Sequence, residues 1–373
     1  MKIAFLGAGM VGRTMALDVA KVHTVCSFDH SEENLKTLQS LNPAIETRKV
    51  DLQHYEKYPE WLGSFDLVVT AVPGFMGYKC LEAVIGCGKN VADISFFPED
   101  VLQLDQLAKE KGVTVITDIG VAPGMGNLIL GYYNEIMTVK RFECYVGGLP
   151  QHPKPPFYYK APFSPIDVVE EYTRPARFKE KGVIVTKPAL TDREIMHFDG
   201  VGDLEAFNTD GLRSLLYTMP HIPDMIEKTL RYKGHIDVIL TLKEAGYFSE
   251  EPVNVSGIHM SPLRFSSALL IDHWKLLPNE EELTVMRVIV EGEKDGKAQR
   301  VEYNMLDLFD KTTGLSSMSR TTGYTCTAAA NLIINGKFRE KGVFPPELVA
   351  KQPGCFDFVL QYLSDRGVQW KKK

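Results

Sequence analysis

The sequence predicts an α/β protein, a doubly wound parallel sheet joined to an α+β second domain with a large mixed sheet. Three observations carry this reading. Over the first 125 residues, short apolar runs alternate with helical patterns, as parallel strands and crossover helices require. A spaced glycine triplet stands at the first strand-to-helix turn, and residues 282–309 form two long alternating runs around an Asp-Gly pair. At 373 residues the chain is too long for one ordinary core. Two domains are therefore expected: residues 1–125 completed by about 320–373, and residues 126–319.

The first domain opens with Ile3 to Leu6, an apolar run that reads as a buried parallel strand. Gly7-x-Gly9-x-x-Gly12 follows at once, and "RTMALDVAKV" repeats apolar residues at helical spacing. A second strand, "HTVCSFD", ends in Asp29, seventeen residues beyond Gly12. Each part has a task in the Rossmann pattern for binding a dinucleotide. Gly7 allows the tight turn, Gly9 lets the pyrophosphate approach the backbone, and Gly12 lets helix and strand pack closely. Ala8, Met10 and Val11 complete the expected cofactor turn. Asp29 is expected to accept hydrogen bonds from the adenosine ribose, and its charge favours NAD over NADP; its alternative is a turn residue.

The alternation continues. "RKVDLQ" is a third strand ending near Asp51, a neighbour for the adenine. "FDLVVTAVPGF" is a buried fourth strand whose end, Ala71, Val72 and Pro73, leads into a loop over the cofactor. "KCLEAVIGCGK" is a helix stopped by glycine, "NVADIS" a fifth strand and "VTVITDIGVAPGMGN" a sixth that runs into a glycine-proline loop. Ser95 and Asp118 share one edge of this sheet. Asp118 is a candidate substrate contact or the cap of the next helix.

From Asn127 the pattern changes. "NLILGYYNEIM" reads as a helix, "KRFECYVGGLP" as a strand and "DVVEEYTRPARF" as a helix ended by Pro175. The hairpin of residues 282–309 carries Val285, Arg287, Ile289 and Glu291 on one face and Thr284, Met286, Val288 and Val290 on the other. That pattern implies one apolar face, covered by helices such as "DGLRSLLYTM" and "HIDVILTLKEAGYF". "TTGYTCTAAANLIINGKF" predicts a small-residue helix from about Thr321 that returns to the first domain. Tyr145 to Pro165 is rich in proline yet holds Phe157, Tyr158, Tyr159 and Phe163. Solvated spacers are polar, so this stretch is read as a loop over the cofactor crevice, with Phe157, Tyr158 or Phe163 lining the substrate.

Composition narrows the classes. The formal net charge is −6 with no basic stripe, which argues against nucleic acid. The six cysteines form no Cys-x-x-Cys pair and have no histidine at metal-site spacing, so no metal is expected and buried free thiols are. No apolar run approaches the ~20 residues of a membrane span, and the chain opens directly on a strand. A cytoplasmic protein without a membrane partner is expected.

Over roughly residues 1 to 350, the ordered segments "DIGVAPGMGN", "YVGGLP", "PFSP", "DGLRSL", "TLRYKGH" and "TTGYTCTAAANLIINGKF" resemble the saccharopine dehydrogenase-like oxidoreductases. The resemblance implies NAD as cofactor, an amino-acid substrate and a homodimer formed through the second domain. It places Asp118 before the glycine-proline loop, Gly148 in the Gly-Gly-Leu-Pro loop and Arg213 on a substrate carboxylate; Ser95, from its sheet edge, and Phe163, from its aromatic loop, are the further candidates for substrate contact. Tyr232 and His235, in the "LRY" segment, are candidates for the proton acceptor, with Lys160 beside them; each has a packed or solvated side chain as its alternative. The chain reads Pro162-Phe163-Ser164-Pro165 where saccharopine-forming relatives carry a tryptophan, and its second domain is shorter. Both departures suit a smaller substrate. The implied reaction is oxidative deamination of L-lysine at the ε-carbon. The alternatives are the reductive condensation of saccharopine or carboxynorspermidine dehydrogenases and, remotely, a non-catalytic NAD(H) sensor.

Overall fold

The computed structural model describes residues 1–161, 165–277 and 280–373. It divides into two compact units. Unit 1 holds Met1–Val139, Gly292–Gln299 and Met318–Trp370; unit 2 holds Lys140–Glu291, Arg300–Ser317 and Lys371–Lys373. The helix Met125–Asn134, read from the sequence as opening the second domain, thus lies in unit 1.

Unit 1 is built on strands β1 (Lys2–Leu6), β2 (Thr24–Asp29), β3 (Glu46–Lys49), β4 (Leu67–Thr70), β5 (Asn90–Asp93) and β6 (Thr114–Ile116), with a seventh, Gly342–Phe344, from the C-terminal part. From one edge the order runs Gly342–Phe344, β6, β5, β4, β1, β2, β3, all parallel. The order reverses between β1 and β4, which is the switch point where ligands bind in such sheets. Helices cover a parallel sheet on both faces, which is why these strands are almost wholly apolar. Ala4, Leu6, Cys26, Phe28, Val68 and Val91 pack with Cys80, Leu81, Val84 and Ile85 of the helix Gly74–Gly86 into one core. β3 stops at Lys49, so Asp51 lies in the turn beyond it rather than on a strand.

The C-terminal segment completes unit 1. Its long helix, Ser317–Ile334, starts earlier than Thr321, and Ala328 to Ala330 are fully buried. Asp18, buried on the helix Met10–Val19, accepts hydrogen bonds from Thr327 Oγ1 at 3.0 Å, Tyr362 OH at 2.7 Å and Arg366 Nε at 2.8 Å. One carboxylate therefore ties the first helix of the chain to its last two long ones.

Unit 2 contains β7 (Thr138–Pro150), β8 (Ala176–Glu180), β9 (Val183–Lys187), β10 (Glu194–Phe198), β11 (Gly202–Asn208) and β12 (Asp224–Tyr232), then a two-stranded sheet of β13 (Val253–Val255) and β14 (Ile258–Met260), and the hairpin β15 (Glu282–Lys294) and β16 (Lys297–Leu308). The large sheet runs β10-β11-β12-β7-β15-β16, with a final strand at Trp370–Lys372. It is mixed: β12 pairs parallel with β7 and antiparallel with β11. Asp295 and Gly296 take φ of 51° and 72° at the hairpin turn, the pair of positive values that a two-residue turn needs. The expectation of one apolar face is corrected, because Val285 and Ile289 are as buried as Met286, Val288 and Val290. The guanidinium of Arg287 stacks 4.4 Å from the ring centre of Phe198 while its Nε donates to Asn304 Oδ1 at 3.0 Å and its Nη2 to His197 O at 2.9 Å. In "DGLRSLLYTM" only Leu215–Thr218 is helical; a left-handed Arg213, φ 47°, ends the turn that precedes it.

Candidate active site

In unit 1 the glycine turn is shaped by close approaches. A Cβ at Gly7, where φ is +104°, would lie 2.4 Å from Ala71 O, and one at Gly12 would lie 2.1 Å from Gly7 O. A Cβ at Gly9 would meet nothing within 4 Å. Gly7 and Gly12 are thus demanded by the fold itself, while Gly9 leaves open space at the start of the helix Met10–Val19, whose first turn has no side-chain cap. Asp29 is 6% exposed and holds the turn from the end of β2: Oδ2 accepts from Ala8 N at 2.6 Å and Oδ1 from Ser31 N at 2.7 Å. Each oxygen keeps a lone pair for a ribose hydroxyl. Ala71 N donates to Leu6 O at 2.8 Å, and Val72 and Pro73 lead into the helix Gly74–Gly86. Asp51 is exposed, with Oδ1 accepting from Gln53 N at 3.0 Å. The open space at Gly9, the uncapped helix start and the carboxylate beside them fit a dinucleotide.

A second cluster lies at the same ends of β4, β5 and β6. Asp93 is fully buried, and its Oδ1 accepts from Thr70 Oγ1 at 2.6 Å and from Ser95 N at 3.0 Å, its Oδ2 from Thr117 Oγ1 at 3.1 Å. Burial pushes this carboxyl up to about 6 against the hydrogen bonds from Thr70 and Ser95, and the charge of Asp118 adds to the rise. Asp118, buried with φ 53°, follows directly on Thr117, and Ile119 N donates to Asp93 O at 3.2 Å. Ser95 and Asp118, both named from the sequence, are therefore set by one carboxylate that sequence reasoning passed over. Its signal was an acid closing the apolar strand "NVAD".

Unit 2 gathers the other candidates. Arg231 is 2% exposed; its Nη2 bonds Glu171 Oε2 at 2.7 Å, its Nε bonds Tyr172 OH at 3.1 Å, and it lies 4.4 Å from the Tyr159 ring centre. His235 is wholly buried beside them. Its Nδ1 lies 2.7 Å from Phe157 O, which can only accept, so Nδ1 carries the proton and Nε2 accepts from Tyr172 OH at 2.8 Å. Burial, with the neighbouring Arg231 charge, pushes the imidazole down to about 3. With both nitrogens committed, His235 has no lone pair for a substrate proton, and its role becomes that of an anchor for the loop around Phe157. Tyr232, half-buried, donates to Pro150 O at 3.0 Å and fixes the end of β7, two residues beyond the buried Gly148.

The loop aromatics also differ from expectation. Phe157 and Tyr159 pack with Tyr172, Ile236 and Trp274 in a core of unit 2, the Phe157 ring edge-on to Trp274 at 5.7 Å. Both add apolar area to that core, Tyr159 as a buried member and Phe157 as a half-buried one. Tyr158 is half-buried, and Phe163 lies outside the described residues. Lys160 Nζ bonds Lys275 O at 3.3 Å. Arg213 is 8% exposed, and its neighbour Asp210 is held bidentate by Arg177 at 2.9 and 2.8 Å. Among the described residues no group of three or more His, Cys, Asp or Glu is placed to hold a metal, and no helix is long and apolar enough to cross a membrane.

A doubly wound sheet with a glycine cradle and an acid at the end of β2 defines a nicotinamide-dependent oxidoreductase. The family is shown directly. The saccharopine dehydrogenase NADP binding domain matches residues 3–116 and the saccharopine dehydrogenase C-terminal domain matches residues 120–368, so the chain belongs to the saccharopine dehydrogenase family. It is 22% identical to a carboxyaminopropylagmatine dehydrogenase of Synechocystis sp. and 24% identical to a carboxynorspermidine synthase of Vibrio cholerae, covering 99% of this chain and 96% of each relative. It is 27% identical to an L-glutamate-forming, NADP-dependent saccharopine dehydrogenase of Pyricularia oryzae over 67% of the chain and 58% of that protein. Among solved structures, the apo saccharopine dehydrogenase (L-Glu forming) of Saccharomyces cerevisiae superposes with a TM-score of 0.80 at 19% identity, covering 100% of this chain and 99% of that one, which shows the shared fold.

Proposed function

We propose that the chain catalyses NAD-dependent oxidative deamination of L-lysine at the ε-carbon, the reaction of an L-lysine 6-dehydrogenase. The observation that carries this reading is the sequence Pro162-Phe163-Ser164-Pro165 in place of a tryptophan-bearing segment, together with a shorter second domain, both of which suit a substrate smaller than saccharopine. Lysine brings one α-carboxylate, which calls for one bidentate arginine. Arg213, on the turn after β11, is assigned that carboxylate. Asp29 supports NAD, because its charge at the ribose opposes a 2′-phosphate.

Bound NAD supplies the hydride acceptor. The chain's residues must deliver the ε-amine without its proton, since an ammonium with pKa about 10.4 has no lone pair to expel a hydride. Asp118 is the acid that the fold sets at the cofactor edge of unit 1. Loss of hydride from the ε-carbon leaves an iminium group and NADH; water then adds to that carbon and releases ammonium, giving 2-aminoadipate 6-semialdehyde, which closes to a piperideine carboxylate. Turnover is expected to rise steeply toward alkaline pH, with one ammonium released per NADH. A flat rate between about pH 7 and 10 would contradict the role given to the amine.

A second reading is reductive condensation. It is favoured by relatives that span the chain almost end to end, among them the carboxynorspermidine synthase and the carboxyaminopropylagmatine dehydrogenase. NAD(P)H consumption that requires an amine and a carbonyl compound together would select it.

A further inference from the structure

β12 carries Met225, Glu227, Thr229 and Arg231 at alternate positions, so they share one face of the sheet. Glu227 is 7% exposed and lies under the turn that follows β11. A Cβ added at Gly211 would sit 2.1 Å from Glu227 Oε2 and 2.7 Å from its Cγ, so the carboxyl fills the place that a side chain would take. Oε2 accepts from Thr209 Oγ1 at 2.7 Å, and Thr209 is the one hydrogen-bond donor to this carboxyl among the described residues. That hydroxyl is shared with Thr229 Oγ1 at 2.9 Å.

The charged groups around Glu227 are Glu171 from the helix Pro165–Thr173, Asp210 from the turn and Arg231 from its own strand, with the Cys144 thiol on the adjacent β7. Glu171 has Arg231 as its partner and Asp210 has Arg177. Glu227 has no cation of its own. Burial, aided by the two neighbouring acids and opposed by the Thr209 hydrogen bond, pushes it up to about 8. Ser214 Oγ, at the end of the same turn, is buried without a hydrogen-bond partner among the described residues. A buried acid without a counter-charge, under a turn that carries a left-handed arginine, is a group that a cation would stabilise.

We propose that Glu227 is the partner of the substrate's α-ammonium group, on the same turn whose Arg213 takes the α-carboxylate. The assignment rests on the amino-acid substrate proposed above. Binding exchanges one proton with solvent: the neutral carboxylic acid releases its proton to water, and the carboxylate then pairs with the ammonium, which keeps all three of its hydrogens.

The test uses the full chain saturated with NAD and the variant Glu227→Gln, which keeps the side chain's size and can still accept from Thr209. The variant is expected to weaken L-lysine by about 10- to 100-fold, the worth of a charged hydrogen bond, with kcat/KM for 6-aminohexanoate, which has no α-amino group, left as in the wild type. Titration calorimetry at about pH 7 on the chain saturated with NADH, which cannot take a hydride from lysine, in two buffers of different ionisation enthalpy, should show close to one more proton released per L-lysine bound by the wild type than by the variant. Unchanged discrimination between lysine and 6-aminohexanoate, or equal proton release, overturns the assignment. Lysine binding with proton release but without oxidation overturns the deamination reading alone; absence of lysine binding overturns both.

Discussion

Replacing Gly9 by alanine separates the cofactor cradle from the fold that carries it. Gly9 has φ −63° and ψ −173°, which alanine adopts without strain, and its added methyl carbon would meet no atom of the chain within 4 Å. Reduced freedom of the unfolded chain favours the variant by about 0.4–1 kcal/mol, and alanine's poorer fit as a helix N-cap costs about as much. The free protein should therefore melt within about 2 °C of the wild type. The methyl group would nonetheless occupy the space assigned to the pyrophosphate. At a hundredfold excess over Kd, NAD stabilises the wild type by about 2.7 kcal/mol, or about 5–10 °C for a domain of this size. Gly9→Ala should lose that shift. Gly12→Ala should behave oppositely, with a lower melting point even without NAD, because its Cβ would lie 2.1 Å from Gly7 O and the backbone must move. Differential scanning fluorimetry with and without NAD reads both variants. A Gly9→Ala protein that keeps the full NAD shift would refute the placement of the pyrophosphate.

Three other outcomes are expected. Asp29→Ala should lower the NAD-over-NADP preference at least about tenfold in kcat/KM, and a ratio that stays put would remove Asp29 from the ribose. Arg366→Ala leaves the buried Asp18 with only neutral donors on that side and should cost about 3 kcal/mol in urea unfolding; a loss under about 0.5 kcal/mol would mean that the C-terminal helix is held by apolar packing alone. Asp93 is raised to about 6 from an ordinary 3.8, so its contribution to stability is complete below about pH 4 and is lost as pH rises through about 6. Asp93→Asn should therefore gain on the wild type between about pH 4 and 7, by at most about 3 kcal/mol, and parallel stability curves would contradict this.

Much of unit 1 was legible because its information is local. Apolar runs, the glycine spacing and Asp29 lie within thirty residues of one another, and a buried parallel strand announces itself by composition. The Asp-Gly hairpin was readable for the same reason. Side-chain pairing across long intervals was not. Asp93 meets Thr70 and Thr117 from 23 and 24 residues away, and Arg177 meets Asp210 from 33, so nothing in "NVADIS" or "DGLRSL" shows which acids are already engaged. His235 shows the same limit: only the fold places Tyr172 and Phe157 O against its two nitrogens and so leaves it without a free lone pair. Helical spacing also misled at Asp210 to Arg213, where a left-handed residue ends a turn that composition alone reads as helix.

The proposed reaction is tested most directly by near-UV absorbance of NADH when the purified protein meets NAD and L-lysine at alkaline pH with no oxo acid or aldehyde present. A steady rise, proportional to enzyme, is the predicted result. No rise, together with NAD(P)H consumption that appears only when an amine and a carbonyl compound are supplied together, would contradict deamination and assign the chain to the condensing members of its family.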